Sequence, residues 1–341
     1  MKYIENTSND PRFNLALEEV LFHSVDSEDD GYFLLWRNEP SIIIGRFQNT
    51  LEEINAEAVK ELGVNVVRRM SGGGAVYHDL GNLNFTFILK SEDPHRLDFR
   101  HMTEPIVMAL RKFGVDAGFN SRNDLVIEDR KFSGNAQYMR KGRFLHHGTI
   151  LFDSDLEVLG KVLQTEPDKY QSKGVKSIKS RVTNVRPWLP KKVTLEDFWE
   201  AVIETMKTWR PGFRVVEADP EVFEKAEKLA EKKYGTWEWN YGRSPEFDVR
   251  RNKRFDFGKV KDEGRRIGGG YKEYGQKKQG DACLKPACRE VGKDTEKPCG
   301  YVLGRLCGYF VPLVELEVEG CAAENGQNIY GLTPETMDSV P

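Results

Sequence analysis

The chain has 341 residues, 39% of them hydrophobic, which is enough for a sizeable core and for two domains. A formal net charge of -3 lacks the bulk basic character of a nucleic-acid binder. Mean hydropathy is -0.58, no apolar run approaches the roughly 18 residues a membrane helix needs, and MKYIENTSNDPRF lacks the charged-then-apolar pattern of a signal peptide. The expectation is a cytoplasmic protein with no nucleic-acid and no membrane partner.

In chain order, Asp10-Pro11 predicts a helix start, an N-cap acceptor followed by proline at the first helical position. Phe13, Ala16, Leu17, Val20 and Leu21 continue it at helical spacing. Residues 32–37 and 41–45 read as strands around a turn at Asn38-Glu39-Pro40, 51–63 as a helix stopped by Gly63, and 64–69 as a strand feeding the run Ser71-Gly72-Gly73-Gly74. In residues 82–89, Leu83, Phe85, Phe87 and Leu89 alternate with Asn84, Thr86 and Ile88, the period of a strand with one well-buried face. Thr103 is read as the cap of a helix to Gly114, and 124–128, 131–139 and 147–152 as strands. Helices follow at 154–163, at 194–209 with a capping box from Thr194 and Asp197, and at 219–234 from Asp219-Pro220 to Gly235. Helices and strands mix without strict alternation. That predicts an α+β fold on a mixed, mostly antiparallel sheet.

Three stretches carry chemistry. The first is RRMSGGGAVYHD, residues 68–79. Glycine removes the Cβ and permits positive φ, so a backbone here can close on a ligand and aim its N–H groups at it, with Arg68, Arg69 and Ser71 as further donors. A tight turn between strands explains three glycines equally well, and the run is neither a Walker nor a Rossmann fingerprint. The second is NDLVIEDRKFSGNA, residues 123–136, where Lys131 sits in a strand context. A half-buried ammonium needs an anion, although an edge-strand lysine that discourages aggregation fits too. The third is HHGT, residues 146–149. Adjacent strand side chains point to opposite faces, which argues against a shared metal.

With NDPRFNLALEE (9–19), LLWRNEPSIIIGRFQN (34–49) and KSIKSRVTNV (176–185), these stretches resemble the lipoate–protein ligase A family over about residues 1–260. WEWNYGRSPEF (237–247) and RFDFGKV (254–260) resemble the end of its catalytic region and the entry to its accessory domain. The resemblance implies a biotin/lipoate ligase-like catalytic domain over 1–245 and a C-terminal accessory region over 246–341. The implied activity activates lipoate with ATP and Mg2+ as lipoyl-AMP, then transfers the lipoyl group to a lysine of a lipoyl acceptor domain, either a glycine-cleavage H protein or the E2 subunit of a 2-oxoacid dehydrogenase.

Carried over residue by residue, the resemblance implies nucleotide contacts at Arg69, Gly74, Ala75, Val76, Tyr77 and Lys131, with Lys131 catalytic. It implies lipoate contacts at Ser71, Gly72, Gly73, His78, Lys131, Ser133, Gly134, His147 and Gly148. Asn82, Asn123, Asp124 and Arg181 are secondary candidates, Asp124 also as a magnesium ligand. Residues 176–185 would form a loop that closes over the intermediate and limits its hydrolysis.

The text changes near residue 260. The last 81 residues hold 13 of the 31 glycines and all five cysteines, and GRRIGGGYKEYGQKKQGD has neither helical nor strand period. Their spacing does not fit the paired C-x2-C units of a zinc site. The tail reads as divergent or as the product of a shifted reading frame. The absence of cysteine before Cys283 disfavours an octanoyltransferase that works through a cysteine thioester. A lysine-dependent transferase from acyl carrier protein and a non-catalytic lipoate-binding protein remain as alternatives.

Overall fold

The computed structural model describes residues 1–27, 31–90, 98–120, 124–163, 170–172, 175–177, 182–245, 247–255, 258–267, 270–271, 303–306, 309–312 and 316–319. The chain divides into two compact units, Met1–Thr165 with Gly174–Ser244, and Glu166–Lys173 with Pro245–Pro341. Asn123, Arg181 and the five cysteines lie outside the described residues.

The first unit is an α+β body built on a six-stranded sheet. Its strands are β1 (Lys2–Ile4), β2 (Tyr32–Trp36), β6 (Asn82–Lys90), β10 (Asn135–Arg140), β11 (Arg143–Leu151) and β13 (Arg214–Val216), in the order β10-β11-β6-β2-β1-β13. β1 runs parallel to both its neighbours and the other pairings are antiparallel. Two three-stranded sheets flank it. One is β4 (Asn65–Arg68), β3 (Ser41–Ile44) and β5 (Val76–His78) in the order β4-β3-β5; the other is β7 (Gly118–Phe119), β8 (Leu125–Ile127) and β9 (Arg130–Ser133).

Both faces of the large sheet are covered. On one, Phe33, Leu35, Phe85 and Phe87 pack with Met102, Ile106 and Leu110 of α4 (Phe99–Lys112) and with Phe198, Val202 and Met206 of α6 (Leu195–Trp209). On the other, Leu34, Trp36, Ile88 and Leu145 pack with Leu15, Leu21 and Phe22 of α1 (Pro11–Ser24) and with Ile43 and Val67 of the small sheet. This double cover corrects the reading of β6 as buried on one face. Asn82, Asn84 and Thr86 are at most 1% exposed, because α1 lies over the polar side of the strand.

Helix starts follow local chemistry. Asp10 accepts from the Arg12 N–H, and Thr194 and Asp197 form the capping box. The helix expected from Thr103 begins earlier, because Asp98 caps it by accepting from the His101 N–H at 2.6 Å; Thr103 instead bonds back to the Phe99 carbonyl at 2.7 Å. The expected helix over 51–63 breaks at Ile54, since Asn49 and Asn55 each cap a short helix, α2 (Thr50–Glu53) and α3 (Ala56–Glu61). The strand expected over 131–139 is interrupted at Gly134, which separates β9 from β10. α7 (Pro220–Leu229) passes into a π-helical turn, Ala230–Tyr234. α5 (Leu156–Val162) is capped by Asp155. Among the described residues no helix is long and apolar enough to cross a membrane.

In the second unit, β12 (Tyr170–Ser172), β14 (Phe247–Phe255), β15 (Gly258–Ile267) and β16 (Gly270–Tyr271) follow one another in one sheet, with β19 (Leu316–Glu319) also on β15; β17 (Leu303–Leu306) and β18 (Tyr309–Pro312) form a hairpin. β15 crosses the point where the sequence loses its period. Its ladder with β14 runs from Phe247 opposite Arg266 to Phe255 opposite Gly258, held by backbone groups that every residue carries.

Candidate active site

The glycine run leaves β4 and returns as β5, so β3 lies between its two ends. The adjacent arginines that precede it do different work. Arg68 is fully buried. Its guanidinium donates to the carbonyls of Gly45 (2.9 Å), Gln48 (2.8 Å), Trp239 (3.0 Å) and Asn240 (3.1 Å) and to the Thr50 hydroxyl (2.7 Å). No carboxylate is among these partners, and burial pulls its pKa down to about 10. It ties residues 239–244 to the 45–50 turn.

Arg69 holds the glycine loop itself. Its Nη2 donates to the carbonyls of Gly72 (2.6 Å) and Gly74 (2.8 Å), its Nη1 to Ile43 (3.0 Å) and its Nε to the Ser71 hydroxyl (2.9 Å). The loop bends around this cation through Gly73, whose φ of +88° suits glycine. Burial pulls the Arg69 pKa down to about 10, with the negative charge of Glu18 acting in the opposite direction.

Ser71 leads into a buried chain of polar groups. Its Oγ lies 2.6 Å from His147 Nε2, and His147 Nδ1 lies 3.1 Å from both carboxylate oxygens of Glu18. Glu18, 2% exposed, also accepts from the Thr86 hydroxyl at 2.5 Å, and Thr86 accepts from the Trp36 indole N–H at 2.9 Å. The acceptor fixes the direction. Glu18 can only accept, so His147 donates to it from Nδ1 and a neutral ring accepts the Ser71 proton at Nε2; the Thr86 proton likewise points to Glu18. Although Ser, His and Glu stand in the order of a nucleophilic triad, Ser71 is fully buried and bound to Arg69, which suits a support for the loop.

Opposite the loop, Lys131 on β9 reaches Asp124 Oδ1 at 2.9 Å, the anion that a half-buried lysine requires. Gly134 makes room for it: a Cβ there would stand 3.1 Å from both Cε and Nζ of Lys131. Between the loop and β9 lies Ser177. Its hydroxyl accepts from the Ala75 N–H (2.8 Å) and from Gln48 Nε2 (3.1 Å), and donates to Glu53. Burial raises the Glu53 pKa against these hydrogen bonds.

These parts enclose a cavity of about 290 Å3, lined by Arg69, Gly73, Gly74, Ala75, Val76 and His78 from the loop side, by Asp124, Lys131, Gly134, His147 and Gly148 opposite, and by Leu15, Trp36, Ile43 and Asn84. A largely apolar space with an ammonium and a glycine-rich backbone on its wall can take an acyl chain with an anionic head.

Comparison with known proteins fits this geometry. Residues 10–207 match the lipoyl protein ligase A/B catalytic domain. The chain belongs to that family. Its similarity to the Bacillus subtilis lipoate-protein ligase LplJ is 45% identity over 266 residues, 76% of this chain and 79% of that one. A solved lipoate-protein ligase A bound with ATP aligns at a TM-score of 0.59 and 32% identity, over 71% of this chain and 97% of that one. A T. acidophilum protein with bound lipoic acid aligns at 0.61 and 32%, over 70% and 98%. A bi-partite lipoate protein ligase from Thermoplasma acidophilum, solved in a study of the ligase and its E2 lipoyl domain, aligns at 0.62 and 32%, over 71% and 96%.

Against the residues expected from the resemblance, the cavity wall brings together Arg69, Gly73, Gly74, Ala75, Val76, His78, Asp124, Lys131, Gly134, His147 and Gly148. Ser71, Gly72, Tyr77, Asn82 and Ser133 stand behind it. Tyr77 packs with Ile42, Ile44 and Val162, Asn82 bonds Asn84 at 2.9 Å, and Ser133 accepts from Asn135 at 3.3 Å. Of the expected closing loop, Lys176 and Ser177 line the cavity, while residues 178–181 lie outside the described residues. Sequence reasoning missed Glu18, Trp36, Asn38, Asn84 and Thr86. A signal existed for Glu18: with Asn14, Leu15, Leu21 and Phe22 it falls on the buried face of α1, where a carboxylate is costly unless it is used.

Proposed function

We propose that this protein activates lipoate with ATP as lipoyl-AMP, releasing pyrophosphate, and passes the lipoyl group to a lysine of an acceptor protein, releasing AMP. The observation that carries this reading is a cavity of about 290 Å3 whose wall joins Lys131 and the glycine-rich loop to the apolar side chains of Leu15, Trp36 and Ile43. Family membership and the ATP-bound and lipoic-acid-bound relatives support it.

In this reading the lipoate carboxylate attacks the α-phosphate of ATP. An ammonium has three donors, so the bond from Lys131 to Asp124 leaves capacity for both anions. Lys131 draws them together and offsets the negative charge that builds as the P–O bond forms. Fixing both reactants makes the step effectively intramolecular. Gly74, Ala75, Val76 and Tyr77 are the stretch that meets the nucleotide; Arg69 acts through the loop, since its Nη2 is committed to loop carbonyls. The Ala75 N–H is held by Ser177, so a phosphate oxygen that takes this donor displaces the serine hydroxyl. In the second step the acceptor amine attacks the acyl carbon and AMP leaves. No side-chain nucleophile is needed, because adenylation has already activated the acyl group.

Among the described residues no group of three His, Cys, Asp or Glu side chains is placed to hold a metal ion, and Asp124 is the sole carboxylate on the cavity wall. That donor set fits a magnesium ion that would arrive with the nucleotide, with Asp124 as the residue that would help hold it. Bound there, it would supply neutralising charge to the phosphates.

The acceptor is a lipoyl domain, an E2 subunit or a glycine-cleavage H protein, and the setting is cytoplasmic. Residues 1–245 form the catalytic domain and 246–341 a C-terminal accessory region, either divergent or frame-shifted after about residue 260. An intact frame in an independent clone sequenced across that junction would remove the last point.

Mass spectrometry of a purified lipoyl domain tests the function. One reaction contains lipoate, ATP and magnesium, the other preformed lipoyl-adenylate. Modification in both is the expected result for a complete ligase. Modification from the adenylate alone locates a defect in activation, as the altered tail predicts. No modification in either removes the ligase reading.

A further inference from the structure

The cavity opens where the residues on its wall are themselves exposed. Val175 is 49% exposed and the side chains of Lys131 and Lys176 are 27% and 60% exposed, whereas Leu15, Trp36 and Ile43 on the same wall are at most 3% exposed. The first three mark the mouth. Beside it stands Phe47, 58% exposed. Its carbonyl accepts from the Val175 N–H at 3.2 Å, and its ring lies by the glycine loop, where a Cβ built on Gly72 would stand 3.7 Å from a ring carbon. The Arg46 N–H donates to the Ser71 carbonyl at 2.9 Å, so residues 46 and 47 are fixed to the rim.

Arg46 completes this rim. Its guanidinium lies over two rings, 5.6 Å from the Phe47 centroid and 5.5 Å from that of Tyr138. These ring faces hold the cation in place without neutralising it. Among the described residues it pairs with no carboxylate. Glu19, whose charge acts on the same Tyr234 hydroxyl as that of Arg46, is already held by Lys233 and by that hydroxyl. Lys176 meets Glu52 only at 3.8 Å. The rim thus presents two exposed apolar side chains, Phe47 and Val175, with a cation next to each in the chain, Arg46 and Lys176.

We propose that Arg46, Phe47 and Val175 form the docking surface for the acceptor domain, which presents an apolar side chain and a carboxylate beside its target lysine. The inference rests on the ligase reading above, in which the acyl carbon is held beside Lys131. An amine that attacks this carbon enters through the mouth, and when the amine belongs to a folded protein, the surface around it is pressed onto the rim. Exposed apolar side chains lose their hydration in such a contact, and an aromatic one is the kind that anchors it. A guanidinium whose fork is uncommitted takes a carboxylate in two parallel hydrogen bonds, which fixes orientation as well as attraction. Arg46 and Phe47 lie outside the cavity wall, so their part is to recognise the acceptor and not to activate lipoate.

Steady-state transfer from preformed lipoyl-adenylate to a purified lipoyl domain tests the surface, beside pyrophosphate release measured without acceptor. In the wild-type protein the acceptor KM should rise with ionic strength, because charges meet across the contact. Phe47→Ser and Arg46→Gln should each raise the acceptor KM about tenfold, with kcat at saturating acceptor and acceptor-free adenylation unchanged. Arg46→Gln should also flatten the salt dependence. An unchanged acceptor KM in either variant overturns the docking surface, and so does a wild-type KM indifferent to salt, which needs no variant; transfer by the wild-type protein would still leave the ligase reading in place. A parallel loss of acceptor-free adenylation overturns it as well, since the rim would then serve the nucleotide. A wild-type dimer that Phe47→Ser dissociates overturns it by making a second copy the occupant. If the wild-type protein modifies the lipoyl domain neither from lipoate and ATP nor from the adenylate, the ligase reading falls, and the docking surface with it.

Discussion

The two ends of the cavity use polar groups in opposite ways. At the mouth Lys131 and Lys176 are partly or largely exposed, and each meets one carboxylate, Asp124 at 2.9 Å and Glu52 at 3.8 Å. Deeper in the fold Glu18, Thr86, Asn84, His78 and His147 are 8% exposed or less and fall into two hydrogen-bonded groups, Thr86 and His147 on Glu18, and Asn84 on His78. Mouth groups are charges that a ligand can recruit at little structural cost. The inner groups are the Glu18 carboxylate and dipoles whose orientation each neighbour fixes, so that disturbing one is felt by the fold as well as by the site. Chemistry and stability should therefore separate along the cavity.

The sharpest break should come at the mouth. Lys131→Ala removes the cation that faces two anions, and adenylate formation should fall about 10³-fold, the upper range for loss of one preorganised electrostatic group. Its melting temperature should stay within a few degrees of the parent's. Pyrophosphate release measured beside thermal unfolding checks both halves; normal adenylation by the variant would end the assignment.

The buried histidines should instead dominate the response to acid. His78 and His146 both have pKa values lowered from 6.5 to about 3, each mainly by burial. A group whose folded pKa is depressed contributes stability that is fully present above the unfolded value and is lost as pH falls through the folded one. Stability should thus decline from about pH 6.5 toward 3, with proton uptake on unfolding. Denaturant titrations across that window would show it, and a flat profile would contradict the neutral buried state of both rings.

The same division explains what could be read from the sequence. The mouth was legible because its parts are unusual in composition: three consecutive glycines, and a lysine on a strand beside Ser133-Gly134. The sheet and its helices were legible from apolar period and caps such as Asp10-Pro11 and Thr194 with Asp197. The inner network was not, because Asn84 and Thr86 occupy the alternate positions of a strand, where polar residues normally face water. Only α1 lying over β6 turns them into a buried face. Tyr77 fell one layer behind the wall for a related reason. Strand residues alternate in direction, so a contiguous motif places every second side chain away from the ligand.

Glu18→Gln probes that hidden layer. The amide keeps the volume but removes the charge that receives the protons of Thr86 and His147, and loss of a hydrogen-bonded charge should cost about 2 kcal/mol of stability. It also removes the negative charge that supports ionisation of Arg69, so the loop should soften and adenylation should fall with it. Urea unfolding and adenylation rates in one variant should move together, in contrast to Lys131→Ala. A stability change without any kinetic effect would detach the network from the site.

Gly134→Ala is the mildest test, and it lies where the two regimes meet. The added Cβ would come to 3.1 Å from Lys131 Cε and Nζ, the far end of a flexible side chain, so the lysine can yield by a few tenths of an ångström. The backbone has no positive φ at this position, so the strain is confined to that contact. Stability should change by less than about 1 kcal/mol. The displaced ammonium should weaken its approach to the ligand anions, and adenylation should fall about tenfold, since the electrostatic benefit depends on a preorganised distance. If Gly134→Ala is kinetically silent, Lys131 works from a position other than the one it holds beside Asp124, and the mouth is adaptable where the buried network is rigid.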